Sequence, residues 1–117
     1  MRDHWKLKAF ELADAMAMAV HKLTREFPRE ELFGLTVQTR RAAVSVVSNI
    51  VEGSARQTKA GYVHFLDIAY GPARKLEDPI SLARRLGCAR DAAYMPLQSL
   101  CEETGKVLNG LIRSLCE

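Results

Sequence analysis

The segment RRAAVSVVSNIVEG, residues 40–53, contains the most restrictive pattern in this 117-residue chain. On a helix, where successive residues are rotated by about 100°, its Ala, Val and Ile side chains cover an arc of roughly 200°. One face of a helical bundle requires about half of that arc. The segment is therefore predicted to be a helix whose excess apolar surface either lies deep in its own bundle or is covered by a second subunit.

A narrow polar line occupies the rest of this helix and permits two interpretations. Its members, at spacings of three and four, are Arg41, Ser45, Ser48, Asn49 and Glu52. In the structural interpretation, Asn49 and Glu52 satisfy backbone groups at the following turn while Arg41 and Ser45 bridge to a neighbouring helix or subunit. In the functional interpretation, the line is a ligand groove. The sequence favours the structural interpretation, because a motif that ends in a helix cap is a natural determinant of the fold.

Helical periodicity extends from this segment in both directions, without strand alternation or a hairpin signal. The pattern predicts four helices over approximately residues 3–27, 36–52, 58–87 and 91–115. Thr36 and Thr58 are predicted as N-terminal caps, and Gly53 as a C-terminal cap. The chain is therefore predicted to be all-α, a single domain over residues 1–117 that forms an antiparallel up-and-down four-helix bundle.

The same spacing predicts which side chains are buried. The stripes of the first, third and fourth helices are Ala9, Ala13, Met16, Val20, Leu23 and Phe27; Tyr62, Leu66, Ala69, Ala73, Leu76, Ile80 and Ala83; and Tyr94, Leu97, Cys101, Thr104, Leu108, Leu111 and Leu115. Prolines interrupt the pattern. Pro72 and Pro79, seven residues apart, predict a bend in the third helix. Pro96 predicts either a last helix that begins near Met95 or an irregular first turn.

Composition limits the class of protein. Hydrophobic residues make up 48% of the chain and charged residues 26%, as in a small soluble domain. No run approaches the roughly 18 apolar residues of a membrane span, and the first residues are charged where a signal peptide would become apolar. We expect a cytoplasmic protein without a membrane partner, in which Cys88, Cys101 and Cys116 are reduced thiols.

The helix-forming segment at residues 40–53 resembles the signature of the four-helix-bundle proteins encoded in intervening sequences of bacterial large-subunit (23S) ribosomal RNA genes. Shorter pieces resemble the same family in the same order: KLT (22–24), FP (27–28), ELFGLT (31–36), FL (65–66), IA (68–69), LE (76–77), ARRLG (83–87) and LNGLI (108–112). In that family the shared motif residues are Arg40, Arg41, Ser45, Asn49, Glu52 and Gly53. The resemblance implies an up-and-down bundle that assembles into a homo-oligomeric ring, commonly a homopentamer.

The sequence offers little for catalysis or for a cofactor. The histidines, His4, His21 and His64, are scattered, and no Glu-x-x-His pair of a di-iron bundle is present. Ser45 and Ser48 have no histidine nearby in the sequence, and there is no glycine-rich phosphate loop. We therefore expect a protein that is not an enzyme and that holds no metal or cofactor.

Positive charge is concentrated in the middle of the chain. Residues 37–90 contain nine basic and four acidic side chains, a net charge of +5, whereas residues 1–36 are balanced and residues 91–117 carry −2. An anionic partner is expected to bind this middle region. The candidate nucleic-acid-binding residues are Arg41, Arg56, Lys59, Arg74, Lys75, Arg84 and Arg85.

The predicted hairpin of the second and third helices brings some of these cations together. In an antiparallel hairpin that turns at residues 55 and 56, the numbers of two facing residues add up to about 111, so Arg41 faces Tyr70. The cations that then form one patch are Arg40, Arg41, Arg74 and Lys75. Arg40 points into the apolar arc and is predicted to form an ion pair at a subunit interface. The planar fork of arginine suits phosphate, and it suits the carboxylate of another subunit equally.

The sequence therefore predicts a non-enzymatic homo-oligomeric adaptor that binds nucleic acid, RNA or DNA, with structured RNA as the leading candidate. The alternative is a scaffold for protein–protein interaction, in which the same arginines hold subunits together or dock a protein partner. The salt dependence of binding distinguishes the two functions, because phosphate contacts weaken steeply as the salt concentration rises, whereas an apolar interface hardly responds.

Overall fold

The computed structural model describes residues 2–117, most of which are helical and none of which forms a strand. The α-helices are α1 (Lys8–Thr24), α2 (Val37–Ser54), α3 (Lys59–Lys75), α4 (Glu77–Arg85) and α5 (Asp91–Cys116). Short 3₁₀ turns occur at His4–Lys6 and Arg29–Glu31, and a π-helical turn at Leu32–Thr36.

The helices form a four-cornered bundle of 44 × 23 × 20 Å, and the predicted all-α bundle is confirmed. α1 packs against α2 and α5, and α3 packs against the same two helices from the opposite corner. α4 follows α3 at the same corner, so that α3 and α4 together make the third helix of the bundle. No helix among residues 2–117 is both long and apolar enough to cross a membrane.

The core consists of the predicted apolar stripes. All members of the first two stripes are buried, and so is the last one from Tyr94 to Leu108, while Leu111 and Leu115 are partly buried against the same core. α2 contributes Ala43, Val46 and Ile50. Three-residue and four-residue spacing therefore brings each stripe to the bundle axis, as expected for helices that contact two neighbours each.

The first helix is shorter than the predicted residues 3–27. Leu7 is extended, with φ −83° and ψ 129°, and separates the His4–Lys6 turn from α1. The Asp3 carboxylate caps that turn by accepting a hydrogen bond from the Trp5 N–H at 3.1 Å. At the other end α1 stops at Thr24, four residues before Pro28, a residue type that cannot continue a helix.

The second helix lies within two residues of its predicted bounds, but neither of its predicted caps is formed. Thr36 is helical, with φ −61° and ψ −53°, because the turn Leu32–Thr36 runs directly into α2 without a capping side chain. Gly53 lies inside α2, which continues to Ser54. Its φ is not positive, so it is not a C-terminal cap. A Cβ at Gly53 would stand 3.1 Å from the Phe65 Cβ, so glycine here permits close contact between α2 and α3.

The third helix is interrupted at Leu76 instead of forming one element over residues 58–87, although Leu76 itself keeps helical dihedral angles, φ −58° and ψ −29°. Pro79 has no N–H to offer the Lys75 carbonyl, and Pro72 likewise leaves the Ile68 carbonyl without its helical donor. The start and the end match the predicted signals: Thr58 accepts from the Gly61 N–H at 3.0 Å, and α4 ends at Arg85, two residues before Gly87, the one residue with positive φ among those described.

The last helix begins at Asp91 and runs through Pro96 without interruption. Pro96 is exposed, so the Ala92 carbonyl that loses its helical donor can reach water. Neither alternative for Pro96, a start near Met95 or an irregular first turn, is found, and the predicted bounds of 91–115 agree with α5, which extends to Cys116.

Candidate functional site

An open cleft of about 440 Å³ lies on the outer side of the α2–α3 pair, beside the break in the third helix. We call it the outer cleft. Its lining residues are Gln38, Arg41, Ala42 and Ser45 from α2, Gly71, Pro72 and Lys75 from α3, and Pro79 from α4. A Cβ at Gly71 would meet no atom within 4 Å, which reflects the space between the helices.

Two cations stand at this cleft. Arg41 and Lys75 are both exposed, and neither forms an ion pair or a side-chain hydrogen bond with another residue of the described chain. Glu77 and Asp78 are the acidic residues closest to Lys75 in sequence, and neither forms an ion pair with it. The outer cleft thus presents two uncompensated cations above a floor of small and proline residues.

The helices pair in a different register from the predicted one. Gly53 lies against Tyr62 and Phe65, and Arg41 shares its cleft with Lys75, so facing residue numbers sum to about 116 rather than 111. Part of this difference arises because α2 runs two residues further than predicted, to Ser54, and α3 begins one residue later, at Lys59, which moves the turn along the chain.

The predicted four-residue patch therefore divides. Arg40 turns toward α1, where its Nε donates to the Thr24 Oγ1 at 2.8 Å within the same chain. Arg74 turns toward α5, where its Cδ would lie 3.4 Å from a Cβ at Gly105. Only Arg41 and Lys75 remain together at the outer cleft.

Two more of the predicted cations already have acidic partners. Arg56 pairs with Glu52, one helical turn earlier. Arg84 donates from Nε to the Asp91 carboxylate at 2.7 Å, which lowers the pKa of Asp91 and raises that of Arg84. Each pair offsets the charge of its arginine, although Arg56 keeps guanidinium N–H groups that Glu52 does not occupy.

The remaining two predicted cations, Lys59 and Arg85, are exposed, and no ion pair joins either of them to another described residue. Lys59 is the first residue of α3 and Arg85 the last residue of α4, so the two stand at opposite ends of the third helix. Neither lines the outer cleft.

The polar line on α2 makes contacts along its own helix rather than across the turn. Asn49 donates from Nδ2 to the Ser45 carbonyl at 2.8 Å and to the Ser45 hydroxyl at 3.2 Å. Glu52 binds Arg56. The expected roles of Asn49 and Glu52 at turn backbone groups are therefore wrong, and the Ser45 end of the line borders the outer cleft.

Arg2, near the start of the chain, contacts the α2–α3 turn, and the sequence patterns did not indicate this contact. Its backbone N–H donates to the Ser54 carbonyl at 3.2 Å, and its Nη1 donates to the Arg56 carbonyl at 2.8 Å. Its guanidinium carbon lies 4.1 Å from the centre of the Tyr62 ring. Burial raises the pKa of Tyr62, and the Arg2 charge opposes that rise. Since these partners lie more than fifty residues away, no local pattern could have indicated them.

The cysteines are three free thiols in different surroundings. Cys101 is buried, Cys88 half-buried and Cys116 exposed. Burial, with the nearby charges of Glu77 and Glu102, raises the pKa of Cys101 to about 12. Within residues 2–117, no three His, Cys, Asp or Glu side chains come together in a way that could hold a metal ion.

Comparison with known proteins relates the whole bundle to one family. A family model described as 23S rRNA-intervening sequence protein matches residues 5–110. The fold is similar to a crystal structure of a protein of unknown function from the S23 ribosomal protein family of Bacteroides thetaiotaomicron. The TM-score is 0.81 and the sequence identity 23%, over 90% of this chain and 95% of that chain. At that identity the likeness shows the fold alone. No curated protein matches the sequence.

Proposed function

Since the chain belongs to the 23S rRNA-intervening sequence protein family, as its motifs predicted, we propose that it is a homo-oligomeric adaptor that binds structured RNA through backbone phosphates and catalyses no reaction. The observation that carries this proposal is the pair of uncompensated cations at the outer cleft, Arg41 and Lys75. The family and its solved member supply no activity, since that member is itself described as a protein of unknown function.

The chemistry of the outer cleft suits phosphate diesters. Arg41 offers a planar fork of N–H donors, and Lys75 offers a compact charge on a flexible stem. Gln38 and Ser45 add neutral donors on the same wall. The rest of the lining is small or apolar, so a phosphate there would meet no carboxylate from the lining. Contacts of this kind bind the backbone of RNA without reading its sequence.

Self-association is the second part of the proposal. Val37, Val44 and Val51 repeat every seven residues along the outer side of α2, and Val44 is 59% exposed. Val51 packs in part against the core, so a second copy of the chain would chiefly cover Val44. The excess apolar arc of α2 and the ring that the family resemblance implies lead to the same expectation. A ring would repeat the outer cleft in every subunit, so that modest phosphate contacts act together on one RNA.

The proposal is tested by fluorescence anisotropy with a labelled structured RNA that carries 5′-hydroxyl ends, titrated at several salt concentrations. We expect log affinity to fall linearly with log salt, because bound phosphates release counterions. The double variant Arg41→Glu/Lys75→Glu should weaken binding by at least about tenfold. Lys22→Glu/Arg25→Glu, which makes the same charge change at exposed positions in the last turn of α1 and directly after it, is the matched control.

Light scattering at each salt concentration reports the oligomer separately. If wild-type protein of intact oligomer mass fails to bind RNA at low salt, the nucleic-acid part of the proposal is wrong.

The alternative function, a protein-interaction scaffold, is favoured by exposed apolar side chains. Leu82 and Leu86 are exposed one turn apart at the end of the third helix, and Phe33 is 90% exposed. Loss of the oligomer in Arg41→Glu/Lys75→Glu would also favour the scaffold.

A further inference from the structure

A second basic pocket lies at the tip of the bundle, at the α2–α3 turn. Its volume is about 480 Å³, and it is lined by Arg2, Ala55, Arg56 and Gln57. We call it the tip pocket. Arg41 and Arg56 are fifteen residues apart, or about 22 Å of helix, so the tip pocket is separate from the outer cleft.

Arg2 is held in place before any ligand arrives. Its main-chain N–H is bonded to Ser54, its Nη1 to the Arg56 carbonyl, and its guanidinium stacks on Tyr62. Only one of its five guanidinium N–H groups has an acceptor among the described residues, so the others can reach a ligand. A fixed arginine loses less conformational entropy on binding than a free one.

Arg56 is fixed in a similar way. Its guanidinium carbon lies 5.0 Å from the centre of the Phe65 ring, and it pairs with Glu52, with both side chains nearly half exposed. A Cβ at Gly61 would come within 3.2 Å of the Arg56 Cβ, so glycine there leaves room for the Arg56 side chain against the first turn of α3.

Local charge favours an anion in the tip pocket. The cations at this turn are Arg2, Arg56 and Lys59, and the acids are Asp3 and Glu52. Asp3 accepts the Trp5 N–H, and Glu52 binds Arg56, which leaves Arg2 and Lys59 without an acidic partner among residues 2–117. The first turn of α3 contains no acid, since Gly61 stands where a capping box would place glutamate.

We propose that the tip pocket binds a phosphate monoester through Arg2 and Arg56, with Lys59 contributing charge. The two guanidinium groups offer several N–H donors from fixed positions, and a monoester presents three free oxygens where a diester presents two. A nucleic-acid end and a free phosphate both supply that group. This proposal does not depend on the outer cleft.

The test compares two forms of one short single-stranded RNA, with a 5′-phosphate and with a 5′-hydroxyl, on full-length protein with any affinity tag at the C-terminus. We expect the 5′-phosphate to raise affinity by about tenfold or more. That difference should be lost in Arg2→Gln and in Arg56→Gln and retained in Arg113→Gln, which removes an exposed cation of α5. Equal affinity for the two RNAs, or discrimination that survives Arg2→Gln, overturns the proposal.

Lys59→Glu separates loss of the tip pocket from loss of the fold. An acidic residue in the first turn of α3 interacts favourably with the helix dipole, so the melting temperature should stay the same or rise. Discrimination for the 5′-phosphate should nevertheless fall. A variant that retains discrimination would contradict the proposed charge contribution of Lys59.

Inorganic phosphate distinguishes the sources of the ligand. Competition by inorganic phosphate, at an ionic strength matched with chloride, is expected for wild type and not for Arg2→Gln. If the RNA end binds more tightly than inorganic phosphate, the ligand is a nucleic-acid end, and if the two bind equally, phosphate alone is the ligand. Because the RNA of the outer-cleft experiment carries 5′-hydroxyl ends, either proposal can fail while the other stands.

Discussion

Gly53 sets the distance between α2 and α3 by having no side chain. An added Cβ would come within 3.1 Å of the Phe65 Cβ and 3.3 Å of the Tyr62 carbonyl oxygen. Gly53→Ala should therefore lower the free energy of unfolding by about 1–2 kcal/mol, because forced overpacking outweighs the better helix propensity of alanine. Urea denaturation measures the change.

Gly110 is the matched control for that substitution. It also lies inside a helix, α5, but a Cβ there would meet no atom within 4 Å. Gly110→Ala should raise the free energy of unfolding by about 0.5–1 kcal/mol through helix propensity alone. If both alanine variants are equally stabilised, close packing at Gly53 is not what limits the approach of the helices.

Cys101 should be much less reactive than Cys116. Its thiol is buried with a pKa raised to about 12, whereas Cys116 is exposed. In native protein at pH 8, iodoacetamide followed by mass spectrometry should label Cys116 first and Cys101 last. The raised pKa also predicts that stability falls as pH rises from about 9 toward 12, since the unfolded thiol then ionises and the folded one does not. Rapid labelling of Cys101 in folded protein would contradict this.

At the scale of the helix, the two prolines of the third helix have different effects. Pro72 lies inside α3 and removes a donor from the helical ladder. Pro79 lies in the first turn of α4, a position that tolerates proline, although it leaves the Lys75 carbonyl without a helical donor. Pro72→Ala should therefore raise the free energy of unfolding by about 1–2 kcal/mol and increase helicity, whereas Pro79→Ala should change stability by less than about 1 kcal/mol.

Circular dichroism with urea titration measures both proline variants. Pro79 is buried, so its alanine variant also loses some packing, which opposes any gain from a restored hydrogen bond. A larger gain from Pro79→Ala than from Pro72→Ala would mean that the break at Leu76 is imposed by Pro79 against an otherwise continuous helix.

The helices were predictable from sequence, and their ends were less so. Burial repeats every three or four residues, and this local signal located the core from Ala9 to Leu108. Thr36 and Gly53 are residue types that often cap helices, yet here the helix continues through both. At Gly53 the decisive factor is contact with α3, and the residues of α2 alone do not indicate that contact.

At the scale of the molecule, Val44 tests whether the chain self-associates. It is 59% exposed on the outer side of α2, between Val37 and Val51. Val44→Glu should reduce the mass measured by light scattering to that of the monomer, because a charge would be buried at an apolar interface. Met18→Glu is the control, since Met18 is 68% exposed on α1. A wild-type protein that is already monomeric would contradict the oligomeric part of the proposal.

The candidate site was predicted only in part, for a reason that belongs to the whole molecule. Arg41 and Lys75 were both among the predicted cations, but their neighbours depend on the register between helices. The sum of facing residue numbers differs by five from the predicted value, and Arg74 lies toward α5 rather than beside Arg41. The contact of Arg2 with Arg56 joins residues that are separated in the chain by α1 and α2, so the spacing of residues within one helix could not predict it.

The break at Leu76 also has a consequence for local unfolding. It leaves α4 with nine residues, fewer than an isolated helix needs to persist in water. α4 is therefore kept helical by its contacts, chiefly those of buried Ile80 and Ala83, to which the exposed pair of Arg84 with Asp91 adds little. Amide hydrogens of α4 should exchange with solvent through openings of this segment alone, while those of α1, α2 and α5 require a larger part of the bundle to open.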